Sequence, residues 1–340
     1  VNIATLVVRW QAAHGRCHLP WQNTRDAYRV WLSEIMLQQT QVTTVLAYYE
    51  RFLQRFPDVQ TLAAAAPEEV LALWSGLGYY SRARNLHRCA EQVIQQHGGI
   101  FPADVVQLAA LPGIGRSTAG AIAAFCFGLR APILDANVRR VLTRVLGFER
   151  DLAQAANMRA LWGLAEELLP HENLPENMPR YTQGLMDLGA QVCLPRNPAC
   201  LLCPLQNRCI ARQRSKPQHY PVQTRKLKRS LLAWWLLLRQ DSLGRIWLVQ
   251  RPPKGIWAGL HCPPVFTCQD ELKAALGNGS QPHYLPAFTH VLTHRDLHLH
   301  PVLLRRAPTA ANMEGAWYTA QEWCVVGLPA PVRKLLEELP

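Results

Sequence analysis

Apolar side chains recur at spacings of three and four through the first two thirds of the chain. Trp31, Ile35, Gln38 and Val42 fall on one such stripe, and Val70, Leu73, Trp74 and Leu77 on another. That period places side chains on one face of an α-helix, so this region predicts helix after helix. Pro57, Pro67, Pro102 and Pro112, with Gly98-Gly99, punctuate the run. Pro67-Glu68-Glu69 predicts a helix start, because proline lacks only an N–H that the first turn leaves unused and carboxylates favour the positive end of the dipole.

After Arg214 the pattern changes. Residues 215–229 hold two prolines and a cluster of basic side chains, and they predict a linker. Beyond it, 230–252 predicts a strand, a turn at Gly244 and a second strand. Short helices follow over 269–276 and 330–339, with strands near 287–293 and 297–304. The expected architecture is therefore multidomain: an all-α domain over 1–214, a basic linker over 215–229, and an α+β domain over 230–340.

Charge narrows the partner. Lys and Arg number 36 against 24 Asp and Glu, a formal net charge of +12. Between Asp187 and Asp241 there is no acidic residue, whereas Arg196, Arg208, Arg212, Arg214, Lys216, Arg225, Lys226, Lys228, Arg229 and Arg239 are all cationic. A solvated linker accounts for a basic run; so concentrated an excess fits a phosphate footprint better. No apolar run approaches the ~20 residues of a membrane helix. The start lacks the basic, apolar and small-residue order of a signal peptide, and a cytoplasmic protein is expected.

Ten cysteines in such a chain do not predict a disulfide framework. Six (Cys17, Cys89, Cys126, Cys262, Cys268 and Cys324) read as buried thiols among apolar neighbours. The others, Cys193, Cys200, Cys203 and Cys209, form C-x6-C-x2-C-x5-C. Four thiolates so close can surround one metal centre. Zinc and a pair of disulfides are the alternatives, but zinc ribbons bring together two separated C-x2-C knuckles. One compact loop with a single knuckle suits a [4Fe–4S] cluster.

Leu111 to Gly120 separates two helical stretches. Gly113, Ile114 and Gly115 give a turn whose amides, with the next helix's N-terminus, can cradle a phosphate oxygen. An ordinary helix–helix turn is the plainer reading. The small residues that follow favour a helix-hairpin-helix over about 103–127. Asp135 lies twenty residues past the hairpin, within Ile133-Leu134-Asp135-Ala136-Asn137, and could serve only as a helix cap. Glu34 is the lone carboxylate of an apolar helix, Trp31 to Val42, and alone would be either a solvent-facing residue or a buried partner for an arginine.

Hairpin, aspartate and four-cysteine loop, in this order, resemble the helix-hairpin-helix DNA glycosylases of the endonuclease III type. The stretches Leu19-Pro20-Trp21, Trp31 to Val42, Leu73 to His87 and Met186 to Ala190 resemble the bacterial MutY family of adenine DNA glycosylases. The resemblance covers essentially the whole chain. It implies base excision repair of adenine opposite 8-oxoguanine or guanine in double-stranded DNA, with a [4Fe–4S] cluster, by a monomer working with the nucleoid.

Residue by residue, Glu34 matches the general acid that protonates adenine at N7 and also handles the attacking water. Asp135 matches the carboxylate that stabilises the cationic sugar, with Asn137 as an orienting neighbour. Ser117 stands where bifunctional relatives carry a Schiff-base lysine, which implies a monofunctional enzyme. Leu19, Trp21 and Gln183 match the adenine pocket, and Gln39 and Tyr79 match residues that wedge into the base stack. Ala136 stands where glycine is usual, and Cys17 where a basic residue is common.

The tail, from Arg251-Pro252-Pro253-Lys254-Gly255 onward, resembles the family's Nudix-like domain. Between Gly255 and Asp296 the only acidic residues are Asp270 and Glu271, without the glutamate cluster a Nudix hydrolase needs for Mg²⁺. The domain is expected to bind rather than hydrolyse. Thr293 and His294 match the turn that reads 8-oxoguanine, with Thr293 for the usual serine and Leu292 for the usual aromatic. Two other functions stay open at this point: a thymine or pyrimidine glycosylase, which would lack the tail and usually carry lysine at 117, and a catalytically silent DNA-binding iron–sulfur protein.

Overall fold

The computed structural model describes residues 2–224, 229–276, 280–305 and 314–339. By contacts the chain divides into two compact units. The first is Val1–Val45, Asp58–Ala63 and Arg88–Lys226; the second is Leu46–Pro57, Ala64–His87 and Leu227–Pro340. The division is not contiguous in sequence: two segments of the region expected to be a single helical domain belong with the C-terminal residues.

The first unit is helical. Ile3–His14, Ala27–Leu37, Val105–Ala110, Arg116–Phe127, Ala136–Leu146, Ala155–Glu167 and Leu174–Asp187 are its longer helices. All but Ala27–Leu37 and Val105–Ala110 contribute to one core that includes Val7, Ala121, Val138, Val141, Leu161, Met178, Tyr181 and Leu185, all buried. Trp31 is fully buried and packs its ring 5.1 Å from that of Phe101. Burying an aliphatic side chain of the core contributes about 1.5–3 kcal/mol.

The stripe predicted to run to Val42 is interrupted. Asp26 caps the helix Ala27–Leu37 by accepting from the Tyr28 and Arg29 amides. That helix stops at Leu37, Gln39 turns to φ +58°, and a new helix begins at Val42. Spacing alone does not register a backbone reversal inside the polar run Gln38-Gln39-Thr40-Gln41. For the same reason Leu77 lies outside its predicted helix, which runs Pro67–Trp74 with Pro67 in the first turn.

Most of the expected linker is also packed. Tyr220 is buried and bonds Glu149, the Leu152 amide donates to the Val222 carbonyl at 3.0 Å, and Thr224 bonds Asp151. Residues 225–228, with the basic side chains of Arg225, Lys226 and Lys228, lie outside the described residues. Of the six scattered cysteines, Cys89, Cys126 and Cys262 are buried, whereas Cys17, Cys268 and Cys324 are exposed. The expectation of burial fails for those three: Cys17 and Cys268 are flanked by polar residues, Arg16 and His18 or Thr267 and Gln269, and Cys324 is followed by the exposed Val325.

The second unit carries the sheets. Its strands are β1 (Ser230–Arg239), β2 (Ile246–Gln250), β3 (His261–Cys262), β4 (Val265–Phe266), β5 (His283–Tyr284), β6 (Phe288–Val291), β7 (Arg295–Leu304) and β8 (Ala316–Tyr318). One sheet runs β4-β1-β7-β5, with β6 also on β7; the other runs β3-β2-β8. β1 and β7 pair in parallel from Ser230↔Arg295 to Arg239↔Leu304. The strand, turn and strand expected around Gly244 are present; they meet at the antiparallel bridge Gln240↔Ile246, and the two strands then lead into different sheets. Leu236, Leu237 and Leu238 are completely buried in β1, as a strand covered on both faces requires. Helices Gln269–Leu276 and Ala330–Glu337 complete the α+β domain.

Candidate active site

A cavity of about 740 Å³ opens in the first unit. Glu34, Leu19, Trp21, Gln183 and Cys17 all line it. Its two polar walls are joined through Asp187, whose side chain is fully buried. One Asp187 oxygen accepts from the Arg16 amide at 2.9 Å; the other accepts from Arg16 Nε at 2.6 Å and from Gln183 Nε2 at 2.9 Å. The loop bearing Leu19 and Trp21 is thereby fixed to the helix bearing Gln183. Losing one partner of such a buried pair costs about 3–5 kcal/mol. Sequence reasoning placed Asp187 in a motif but gave it no role, because its partner Arg16 is 171 positions away.

Gln22 is a further cavity residue that the sequence did not single out. Its Oε1 accepts the Leu19 amide at 3.1 Å, while its buried Nε2 has no hydrogen-bond partner among the described residues.

Glu34 sits on the helix Ala27–Leu37 among Trp31, Leu32, Ile35 and Met36, all buried. Burial pushes its carboxyl from 4.5 up to about 8, and the negative charge of Asp135 adds to the rise. A carboxyl so placed holds its proton at neutral pH.

Asp135 caps the helix Ala136–Leu146. Its Oδ1 accepts the Asn137 amide at 2.6 Å and the Val138 amide at 2.9 Å. Burial raises its carboxyl above the usual range, and those two amides with the cations of Arg139 and Arg140 draw it back. Capping and catalysis need not compete, since one oxygen makes both capping bonds. Asn137 orients Asp135 through its backbone; its side-chain oxygen accepts from Arg140 at 2.9 Å.

The segment before Asp135 is held by the hairpin. The hairpin joins helices Val105–Ala110 and Arg116–Phe127. Ile114 is buried and donates its amide to Leu111 O at 3.1 Å, and Gly115 caps the second helix without a side chain. A Cβ on Gly120 would lie 2.3 Å from the Pro132 carbonyl oxygen, so the approach of helix to segment requires glycine there. Ser117 Oγ accepts the Leu134 amide at 3.0 Å.

Cys193, Cys200, Cys203 and Cys209 line one cavity with Val141, Leu188 and Arg144. None is in a disulfide. Buried Arg144 donates to Cys193 Sγ at 3.3 Å and to the carbonyls of Leu194, Pro195 and Pro217. Among the described residues no three His, Cys, Asp or Glu side chains converge as ligands of a single metal ion.

In the second unit, Leu292 to His294 form the turn between β6 and β7, closed by the Leu292 amide on Arg295 O at 2.8 Å. Thr293 Oγ1 donates to the Tyr79 hydroxyl at 3.1 Å. Tyr79 is 45% exposed and has φ +49°. His290 belongs to β6, where its ring lies 6.3 Å from that of Trp257. Glu271 accepts from the Thr267 amide and hydroxyl, and Asp270 pairs with Lys273. Gln39, in the first unit, is exposed.

Residues 32–167 match the HhH-GPD superfamily of base excision DNA repair proteins, and residues 233–338 match a NUDIX domain. An adenine DNA glycosylase from Buchnera aphidicola subsp. Acyrthosiphon pisum is 36% identical over 343 residues, covering 98% of this chain and 96% of that one. The chain belongs to the adenine DNA glycosylase family. The human adenine DNA glycosylase is 45% identical over 205 residues, 58% of this chain and 37% of that one. A thermostable thymine-DNA glycosylase of known structure is 28% identical with TM-score 0.55, covering 62% of this chain and 95% of that one. Endonuclease III in a non-covalent DNA complex shares the fold at TM-score 0.51 and 22% identity. The thymine-DNA glycosylase match leaves more than a third of this chain uncovered while taking in nearly all of that protein. No helix among the described residues is long and apolar enough to cross a membrane.

Proposed function

We propose that this adenine DNA glycosylase hydrolyses the N-glycosidic bond of adenine opposite 8-oxoguanine or guanine in duplex DNA, as a monofunctional monomer. The observation that carries the reading is Glu34. It is a half-buried acid on the wall of the cavity, held protonated by its surroundings and within electrostatic reach of Asp135.

An adenine extruded into the cavity meets Leu19 and Trp21 as apolar surfaces and Gln183, fixed through Asp187, as a polar one. Glu34 gives its proton to N7, and the C1′–N9 electron pair leaves with the base. Positive charge develops on the sugar, and the Asp135 carboxylate stabilises it. Water adds its oxygen to C1′ and its proton returns to Glu34, so the enzyme ends as it began. Ser117 has no amine with which to form a Schiff base, so strand cleavage does not follow.

In the hairpin the amides of Gly113 and Gly115 are offered to a phosphate of the DNA, while that of Ile114 closes the turn on Leu111 O. Gln39 and Tyr79 fill the gap left by extrusion, and Thr293 and His294 read the opposite base. The NUDIX domain serves binding, since Asp270 and Glu271 are engaged at the start of their own helix.

The chain's cofactor on this reading is a [4Fe–4S] cluster held by Cys193, Cys200, Cys203 and Cys209. The donor set fits: four free thiols share one cavity, and Arg144 supplies a cation for the anionic sulfur of Cys193. When bound, the cluster would contribute structure, tying together a loop that offers Arg196 and Arg208 to phosphates while Arg212 lines the cysteine cavity and donates to Gln206 O.

The test is an excision panel. Duplexes with A:8-oxoguanine, A:G, T:G or an oxidised pyrimidine are incubated with the protein and then treated with alkali. Alkali-dependent breaks at A, strongest opposite 8-oxoguanine, are expected. Breaks at T or at the pyrimidine would assign the chain to the thymine or endonuclease III chemistry instead, and breaks before alkali would remove the monofunctional reading.

A further inference from the structure

The loop from Ser75 to Tyr80, in the second unit, is tied at its base to the C-terminal end of the chain. Ser75 Oγ donates to the Leu328 carbonyl at 2.9 Å and accepts from Arg333 Nη2 at 3.2 Å. The Tyr80 hydroxyl donates to the same Leu328 carbonyl at 2.9 Å and accepts the Gly76 amide at 3.3 Å. Leu328 is fully buried, and Arg333 donates also to the carbonyls of Val326 and Cys324. One guanidinium thereby gathers both the loop and the turn before the last helix.

Above this base the backbone is left-handed at Gly76, φ +104°, and again at Tyr79, φ +49°. A non-glycine residue keeps such a conformation only where its surroundings fix it. Tyr79 itself projects from the tip, 45% exposed. An exposed ring gains most from stacking when its backbone is already fixed, because less freedom is lost on insertion.

We propose that Arg333, acting with the Leu328 carbonyl through Ser75 and Tyr80, is a positioning residue that sets Tyr79 for entry into the base stack. The inference rests on the reading of Tyr79 as the inserting side chain. It gives the last helix of the NUDIX domain a part in base extrusion, acting on the Tyr79 backbone from below, whereas Thr293 bonds the Tyr79 hydroxyl at the tip. The competing role for Arg333 is to hold the last helix in place and nothing more.

Affinity for a duplex carrying 2′-fluoro-2′-deoxyadenosine, which resists excision, opposite 8-oxoguanine separates the two. The full-length chain is used, with Tyr79→Ala, Arg333→Ala, Ser75→Ala and the doubles with Tyr79→Ala, alongside amide hydrogen exchange over residues 76–80. Tyr79→Ala should weaken binding roughly five- to 150-fold, the range for losing one aromatic–base stack. Arg333→Ala and Ser75→Ala should each lose part of that affinity, lose nothing more when combined with Tyr79→Ala, and exchange faster over 76–80. Ser75→Ala removes one hydroxyl and carries the test if Arg333→Ala does not fold. Independent, additive losses or unchanged exchange would overturn the positioning role while leaving Tyr79 as the wedge. Unchanged affinity in Tyr79→Ala would remove the wedge reading itself, and the positioning role with it.

Discussion

The hydroxyl of Ser117 accepts the backbone amide of Leu134 at 3.0 Å. The second helix of the hairpin therefore touches the residue immediately before Asp135, and a position that was of interest for the amine it lacks has a structural duty of its own. Ser117→Lys should produce a DNA adduct trappable with borohydride, while giving up a hydrogen bond of about 0.5–1.5 kcal/mol. A melting curve beside the trapping gel distinguishes the two effects. A folded variant that traps nothing would show that position 117 does not face the sugar.

Asp135→Asn isolates charge from capping. Asparagine caps a helix about as well as aspartate, so the helix Ala136–Leu146 should keep its start and the melting temperature should move little. Adenine excision should nevertheless be lost, because a neutral amide cannot stabilise a cationic sugar. Retained excision in a normally folded Asp135→Asn protein would leave the residue as a cap only.

Cys203→Ser should strip iron and acid-labile sulfide from the protein and weaken its binding to DNA. The wild-type chain should carry about four irons, as a [4Fe–4S] centre requires. Metal analysis of purified protein decides the point: one tightly held zinc per chain and no iron would replace the cluster assignment.

How far the sequence spoke depended on how local each feature was. Cys193 to Cys209 lie within one loop, and their spacing alone singled out four thiols that line one cavity. Glu34 stood out because its neighbours along the helix are apolar, and burial is what those neighbours produce. Features built from distant residues were not legible. Arg16 and Asp187 are 171 positions apart, and Tyr79 and Thr293 are 214 apart; no periodicity links them. The reversal at Gln39 escaped because the apolar stripe continues on either side of it. The association of 64–87 with the C-terminal residues escaped because it rests on hydrogen bonds to carbonyls such as Leu328 O and Ala258 O, and every residue has a carbonyl.

That association changes how reading of the opposite base is best tested. Deleting residues 230–340 also removes the partners of Ser75, Tyr80 and Arg84. Thr293→Ala is the smaller change: it spares those partners and removes one hydroxyl, along with its bond to Tyr79. It should reduce the preference for 8-oxoguanine over guanine opposite adenine by roughly two- to tenfold, one hydrogen bond's worth, with A:G excision little altered. An unchanged ratio of the two single-turnover rates would place the reader elsewhere.

Burial gives Glu34 opposite effects on activity and stability. Its folded-state carboxyl, raised to about 8 from 4.5, is protonated on both sides of unfolding at low pH. As pH rises from 4.5 through about 8, the unfolded chain releases this proton first, so the contribution to stability declines across that window. Glu34→Gln carries no such penalty, and its melting temperature should gain on the wild type as pH rises.

The single-turnover rate of adenine release from an A:8-oxoguanine duplex, followed across pH for wild type and Glu34→Gln, tests the mechanism most directly. Wild-type excision should fall as pH rises through about 8. Glu34→Gln should bind the duplex normally yet excise ~10²–10⁴-fold more slowly, with that pH-dependent fall gone. A Glu34→Gln rate within about threefold of wild type, or a wild-type rate that stays level well above pH 8, would contradict proton donation by Glu34.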